Sequence, residues 1–169
     1  MGTAAISHRA AFRIGCLEPD KNPSTYLKGF RTGHFFQGHN WNNSLKTVYK
    51  TGELLARKKR FNVIDYYLLG RIIHYISDGF TYAHNIHFGR NLPAHIAYEA
   101  QLETYFRTEL SRPLILCDAC HGTLSQILHR SRMNYLLKSS CPTNDARFIK
   151  HTCCEIMCFF SSLPQSSNN

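Results

Sequence analysis

The sequence predicts an all-α protein. Beyond residue 43 most of the chain falls into segments whose apolar residues recur at three- and four-residue intervals. Nowhere do apolar and polar residues alternate as in a strand. Turn-forming residues gather instead in one stretch, Glu18 to Asn43, which holds Pro19, Pro23, four asparagines and three glycines without a sustained period.

A first helix is expected ahead of that stretch, carrying His8. Residues 18–43 are expected to form a long loop, and because they contain Asp20, His34 and His39 the loop is read as functional. Ser44 to Lys59 reads as a helix with Asn43 or Ser44 at its N-cap. The basic run Arg57, Lys58, Lys59, Arg60 closes it and is read as a solvated helix end that complements the dipole. Val63 to about Thr81 follows, with Ile64, Tyr67, Leu68, Ile72 and Ile76 as its apolar stripe. Pro93 suits a first helical turn and starts a helix to about Leu110. Helices over about Leu116–Leu137 and Asp145–Leu163 complete a multi-helix bundle. The expected organisation is one helical domain over 1–163, with a shortened N-terminus left open, and a disordered tail over 164–169.

With 169 residues, 43% hydrophobic and 18% charged, the chain has the composition of an ordinary globular domain. Its net charge of +9 favours anionic partners: phospholipid headgroups, nucleic acid or phosphorylated small molecules. No run approaches the roughly 18 apolar residues of a membrane span, and the first 13 residues lack the apolar core of a signal peptide. Seven cysteines, odd in number and including adjacent Cys153 and Cys154, do not form a disulfide pattern. The expected location is therefore cytoplasmic as the sequence is written, with secretion left open if the N-terminus is shortened.

Ten histidines are unusual, and their spacing carries chemistry. His74 and Asp78 stand four apart on one helix face, and His95 and Glu99 repeat the spacing on the next helix, with His84 between the pairs. Two ligands one turn apart can chelate a single zinc ion, which accepts imidazole nitrogen and carboxylate oxygen. Two helices that each offer such a pair can hold a multinuclear site. One His-x-x-x-Asp alone would mean little, since such pairs commonly just stabilise helices.

These residues, with Gly15-Cys-Leu-Glu-Pro-Asp20 and Gly38-His-Asn40, resemble the bacterial zinc-dependent phospholipase C family, whose fold is shared with single-strand-specific zinc nucleases. The resemblance runs from Phe12 to Phe106. It implies a helical fold with two or three zinc ions in a cleft. By position, Asp20, a loop histidine, His74 and Asp78 would hold one ion, and His84, His95 and Glu99 another, with Asp78 bridging toward a third. His39 is preferred over His34 as the loop ligand, because His34 sits beside Phe35 and Phe36. Asp20 would also serve as general base. Asn40 and Asn85 adjoin ligands and are read as turn asparagines. The family's third zinc uses an N-terminal tryptophan and a nearby histidine. Here the only tryptophan is Trp41, and His8 is read as a surface residue.

The implied activity is hydrolysis of a glycerophospholipid to diacylglycerol and a phosphorylated headgroup. Zinc would lower the pKa of a bound water toward about 7. The expected partners are a phospholipid or other phosphodiester substrate and peripheral contact with an anionic membrane, with no haem and no stable nucleic-acid partner. A zinc nuclease, a small-molecule phosphodiesterase or a non-catalytic metal or membrane-surface protein are the alternatives. Cys117-Asp-Ala-Cys120-His121 matches the c-type haem motif, but a helix start with buried thiols accounts for it better. His87, His121, His129 and His151 lack a carboxylate at chelating spacing on an inward face and are read as surface or packing residues.

Overall fold

The computed structural model describes residues 3–22, 41–85, 88, 91–113 and 122–163. Among them lie six α-helices: α1 (Thr3–Lys21), α2 (Trp41–Ala56), α3 (Val63–Gly79), α4 (Leu92–Ser111), α5 (Leu124–Leu136) and α6 (Pro142–Ser162). A 3-10 turn covers Tyr82–His84, and no strand occurs among the described residues. The fold class is all-α. No described helix is long and apolar enough to cross a membrane. The chain forms two compact units, Met1–Tyr75 with Ser162–Asn169, and Ile76–Ser161, and the boundary falls within α3.

In the first unit α1 lies backbone to backbone on α3. A methyl group added at Gly15 would stand 2.0 Å from the Tyr67 carbonyl oxygen, and one added at Gly70 would stand 2.2 Å from that of Phe12. Only glycine permits so close an approach. Ala11, Val48, Leu55, Leu69 and Ile72 fill the core of this unit. The start of α3 is fixed by reciprocal hydrogen bonds: Asp65 N–H donates to Asn62 Oδ1 at 3.0 Å, and Asn62 N–H donates to Asp65 Oδ2 at 2.9 Å. Lys58 Nζ donates to the other carboxylate oxygen at 2.5 Å. One member of the basic run therefore locks the α2–α3 corner, while Arg57, Lys59 and Arg60 lie exposed.

Three expectations about these helices change. α1 runs through Pro19 to Lys21, so Asp20 belongs to a helix end rather than to a loop. That last turn is held by Asn22, whose N–H donates to the Glu18 carbonyl at 2.9 Å and whose side-chain amide donates to Glu18 Oε1 at 2.5 Å. α2 spans Trp41–Ala56, starting earlier and ending sooner than Ser44–Lys59. In α3 the buried face is Asp65, Leu69, Ile72 and Ile76, whereas Ile64 is 66% exposed. The inward stripe is thus turned by about one residue, because Asp65 occupies an inward position made tolerable by Asn62 and Lys58.

The second unit packs around Phe80, which is fully buried and meets the Tyr135 ring edge-on at 5.3 Å between centroids. Ile127, Leu128, Ile149, Ile156 and Phe160 extend this core. A capping box between Thr123 and Gln126 sets the start of α5 at Leu124, later than the expected Leu116. α4 ends on a buried cation: Lys150 Nζ donates to the carbonyls of Glu109 at 2.7 Å and Arg112 at 2.9 Å. α6 starts at Pro142, which places Asp145 inside its first turn.

Candidate metal centre

Two clusters of ligand-type side chains stand out among the described residues. The first depends on the glycine-mediated contact of α1 with α3. Because the helix backbones touch, the Cys16 carbonyl reaches His74 Nδ1 at 3.0 Å. A carbonyl only accepts, so Nδ1 carries a proton and Nε2 is the nitrogen left to act as a metal ligand. Nε2 faces Asp20 Oδ1 at 3.4 Å. The His74 side chain is 9% exposed and that of Asp20 is 58% exposed. Asp78 follows one turn along α3 and is buried. His74 has a ligand atom within 4.8 Å of a carboxylate oxygen of Asp20 and of one of Asp78.

The second cluster forms where the chain leaves α3 and enters α4. Gly79 ends α3, and the 3-10 turn is closed by hydrogen bonds from His84 N–H to the Thr81 carbonyl at 3.0 Å and from Asn85 N–H to the Tyr82 carbonyl at 2.9 Å. Asn91 caps α4 by accepting from Ala94 N–H at 3.1 Å, and Pro93 fits the first turn, which has no use for its missing N–H. One turn of α4 then aligns His95 with Glu99. His84 Nε2 and His95 Nε2 approach the same oxygen, Glu99 Oε1, at 3.1 Å and 3.0 Å. The hydrogen bond from His84, above all, holds the Glu99 carboxyl below its ordinary range, against the upward push of partial burial; His95 adds to the effect.

These separations fit zinc. An ion with tetrahedral bonds of 2.0–2.1 Å holds its ligand atoms about 3.3 Å apart. Both histidine–Glu99 distances and the His74–Asp20 distance lie within a few tenths of an ångström of that edge. Nitrogen and carboxylate oxygen are also the donors zinc prefers among these residue types. The His84–His95–Glu99 cluster could hold an ion with little side-chain movement.

The remaining candidates divide simply. His34, His39, Asn40, His87 and the Cys117-Cys120-His121 motif lie outside the described residues. His8 stacks on the Tyr66 ring at 4.5 Å, a packing contact, and belongs to neither cluster. His129 and His151 are exposed. Asn85 is more than a turn residue: its amide donates to the Thr81 carbonyl at 3.2 Å, and its oxygen accepts from Arg132 at 2.9 Å.

Sequence reasoning missed the groups that orient the ligands. The Cys16 carbonyl carries no residue-type signal, since any residue offers one. Gly15 stands in the family-like motif and Gly70 in a helical stretch, but neither position by itself marks a close helix contact. Asp145 reads as an ordinary acidic residue at a helix start, yet it is fully buried. Burial pushes its carboxyl above the ordinary range, and hydrogen bonds from the Tyr82 N–H, Tyr98 and Tyr135 work against that push. Burial likewise raises the Tyr98 and Tyr135 phenols, which stay protonated and donate.

No curated protein and no solved structure matches the chain. A family model does, and it spans both clusters and all the described helices up to the last residues of α6. Zinc-dependent phospholipase C is the family whose model matches residues 2–157, and the chain belongs to it.

Proposed function

We propose that the protein is a zinc-dependent phosphodiester hydrolase that cleaves glycerophospholipids to diacylglycerol and a phosphorylated headgroup. The observation that carries this reading is the pair of histidines and a carboxylate, His84, His95 and Glu99, spaced as the edges of a zinc coordination shell. Asp20, His74 and Asp78 supply a second donor set, with His39 as its further ligand. Bound zinc would polarise a phosphoryl oxygen and lower the pKa of water toward about 7.

The residues have separable tasks in this reading. The Cys16 carbonyl keeps a proton on His74 Nδ1, so that Nε2 is the nitrogen that would meet an ion. Asp20, with an exposed side chain at the end of α1, is the group that can accept a proton from attacking water. The net charge of +9 suits an anionic bilayer, and Arg57, Lys59 and Arg60 lie exposed beside the exposed apolar residues Val63 and Ile64. That corner supports peripheral contact with phospholipid.

The test is turnover of short-chain phosphatidylcholine and of single-stranded DNA, each with zinc added and with zinc removed. Headgroup release that needs zinc, without cleavage of DNA, is the expected result. Cleavage of DNA alone would make the protein a nuclease, and no turnover of either would leave a non-catalytic metal protein.

A further inference from the structure

The 3-10 turn that carries His84 and the helix that carries His95 and Glu99 meet at one buried carboxylate. Asp145 Oδ2 accepts from the Tyr82 backbone N–H at 2.6 Å and from the Tyr98 hydroxyl at 2.8 Å. Tyr82 lies two residues before His84, within the same turn, and Tyr98 immediately precedes Glu99 on α4. The other oxygen, Oδ1, accepts from the Tyr135 hydroxyl on α5 at 2.9 Å. Asp145 itself is fully buried in the first turn of α6. Arg132 of α5 ties the same turn at both ends, donating to the Gly79 carbonyl before it and to Asn85 Oδ1 after it. The Tyr82 and Tyr98 rings also touch, at 5.9 Å between centroids.

We propose that Asp145 is the positioning residue of the His84–His95–Glu99 cluster: it fixes the 82–84 turn and α4 in register, so that both imidazoles meet Glu99 before any ion arrives. The inference rests on the metal reading of that cluster. A short 3-10 turn has few hydrogen bonds of its own and little cooperativity. His84 would otherwise wander relative to His95, and zinc would have to order it on binding. One carboxylate oxygen shared by the turn and the helix removes that freedom. Among the described residues Asp145 touches no ligand side chain, and it acts through Tyr82 and Tyr98.

The two tyrosines that donate to Asp145 make the claim testable. Tyr98 sits on the ligand-bearing helix, while Tyr135 sits on α5, which carries no candidate ligand. Both are hydrogen bonds to one carboxylate, so a purely structural role would make Tyr98→Phe and Tyr135→Phe equivalent. Asp145→Asn keeps an oxygen for the Tyr82 N–H and Tyr98, and its amide can face the Tyr135 hydroxyl, which is able to accept. Asp145→Ala keeps nothing.

Zinc affinity of the full chain should be measured by competition with a chromophoric chelator, and ligand geometry by the visible bands of the cobalt-substituted protein. His95→Ala identifies the binding phase that belongs to this cluster. For that phase Asp145→Ala should weaken zinc binding about tenfold and alter the cobalt bands, in the range seen when groups behind metal ligands are removed. Tyr98→Phe should weaken it several-fold, whereas Asp145→Asn and Tyr135→Phe should stay within about twofold of the native chain. Should Asp145→Ala not fold, the contrast between the two tyrosine variants decides alone. Equal effects of Tyr98→Phe and Tyr135→Phe would overturn the proposal, as would a phase lost in His95→Ala but untouched by Tyr98→Phe. A native chain with no phase sensitive to His95→Ala would instead overturn the metal reading itself.

Discussion

His74 is 9% exposed and takes its orientation from a backbone carbonyl, whereas His84 and His95 are 20% and 28% exposed and converge on a carboxylate that is 47% exposed. Each arrangement follows from the elements that carry it. His74 stands in the middle of a long helix against which another helix is pressed at Gly15 and Gly70, so backbone packing alone places the Cys16 carbonyl. His84 stands on a single 3-10 turn, which no helix packing can fix, and side chains supply the restraint instead. A ligand on a packed helix needs one neighbour to set its tautomer; a ligand on a turn needs a network behind it.

The largest effect is expected at Asp78, one turn beyond His74. If it bridges ions, Asp78→Ala removes both charge and geometry, and phosphodiester turnover should fall by about a thousandfold, equivalent to about 4 kcal/mol of barrier. His121→Ala, which alters the haem-like motif, should leave turnover nearly unchanged. Steady-state rates at neutral pH with zinc present, on variants that retain their helical circular dichroism, make the comparison. Equal activity in the two variants would break the assignment of Asp78.

How much of this was legible beforehand follows from the kind of interaction involved. The i, i+4 pairs His74/Asp78 and His95/Glu99 are periodic, and a period is written in the sequence. α3 ends at Gly79, two residues before the expected Thr81, because glycine is a poor helix residue with a turn ahead of it. The inward face of α3 was misjudged by about a residue: Ile64 is apolar, but Asp65 finds partners in Lys58 and Asn62 and goes inward in its place. Pro19 suggested a loop, yet α1 continues through it for one last turn. Asp145 was invisible as a buried group, since its partners Tyr82, Tyr98 and Tyr135 come from three other elements and no local pattern links them.

The backbone contact behind His74 should be nearly as sensitive as the chemistry. Gly70→Ala puts a methyl group 2.2 Å from the Phe12 carbonyl oxygen, a distance at which the helices must separate. The expected loss is about 3 kcal/mol of stability, at the upper end for overpacked sites. Urea unfolding of the metal-free chain measures it. A separated α1 also withdraws the Cys16 carbonyl, so zinc held with His74 should bind more weakly while the phase assigned through His95 persists. Unaltered stability in Gly70→Ala would show that the close approach is relaxed in solution.

Chelation tests both clusters together. Binding to the folded chain alone stabilises it by about 2.7 kcal/mol for each ion when free zinc is a hundred times its Kd. The unfolding midpoint should therefore fall when zinc is withdrawn, and His95→Ala should keep only the part of that shift due to Asp20, His74 and Asp78. A midpoint indifferent to zinc would refute the metal reading of both clusters.

The smallest effect isolates Glu99 without any metal. Its carboxyl lies below the ordinary range in the folded chain, chiefly through the His84 hydrogen bond, with His95 contributing. A lowered pKa means that folding favours the ionised form, so the stabilisation is complete above the unfolded value of about 4.3 and disappears as pH falls through the lowered folded value. Because the side chain is 47% exposed, solvent screens the interaction and its worth is below about 1 kcal/mol. In the metal-free protein, the stability difference between the native chain and Glu99→Gln should close as pH falls from about 4.5 toward 3. Urea titrations at these pH values would show it. A difference that widened below about pH 4.5 would mean that the folded chain prefers Glu99 protonated, and that the two imidazoles do not meet its oxygen until an ion draws them there.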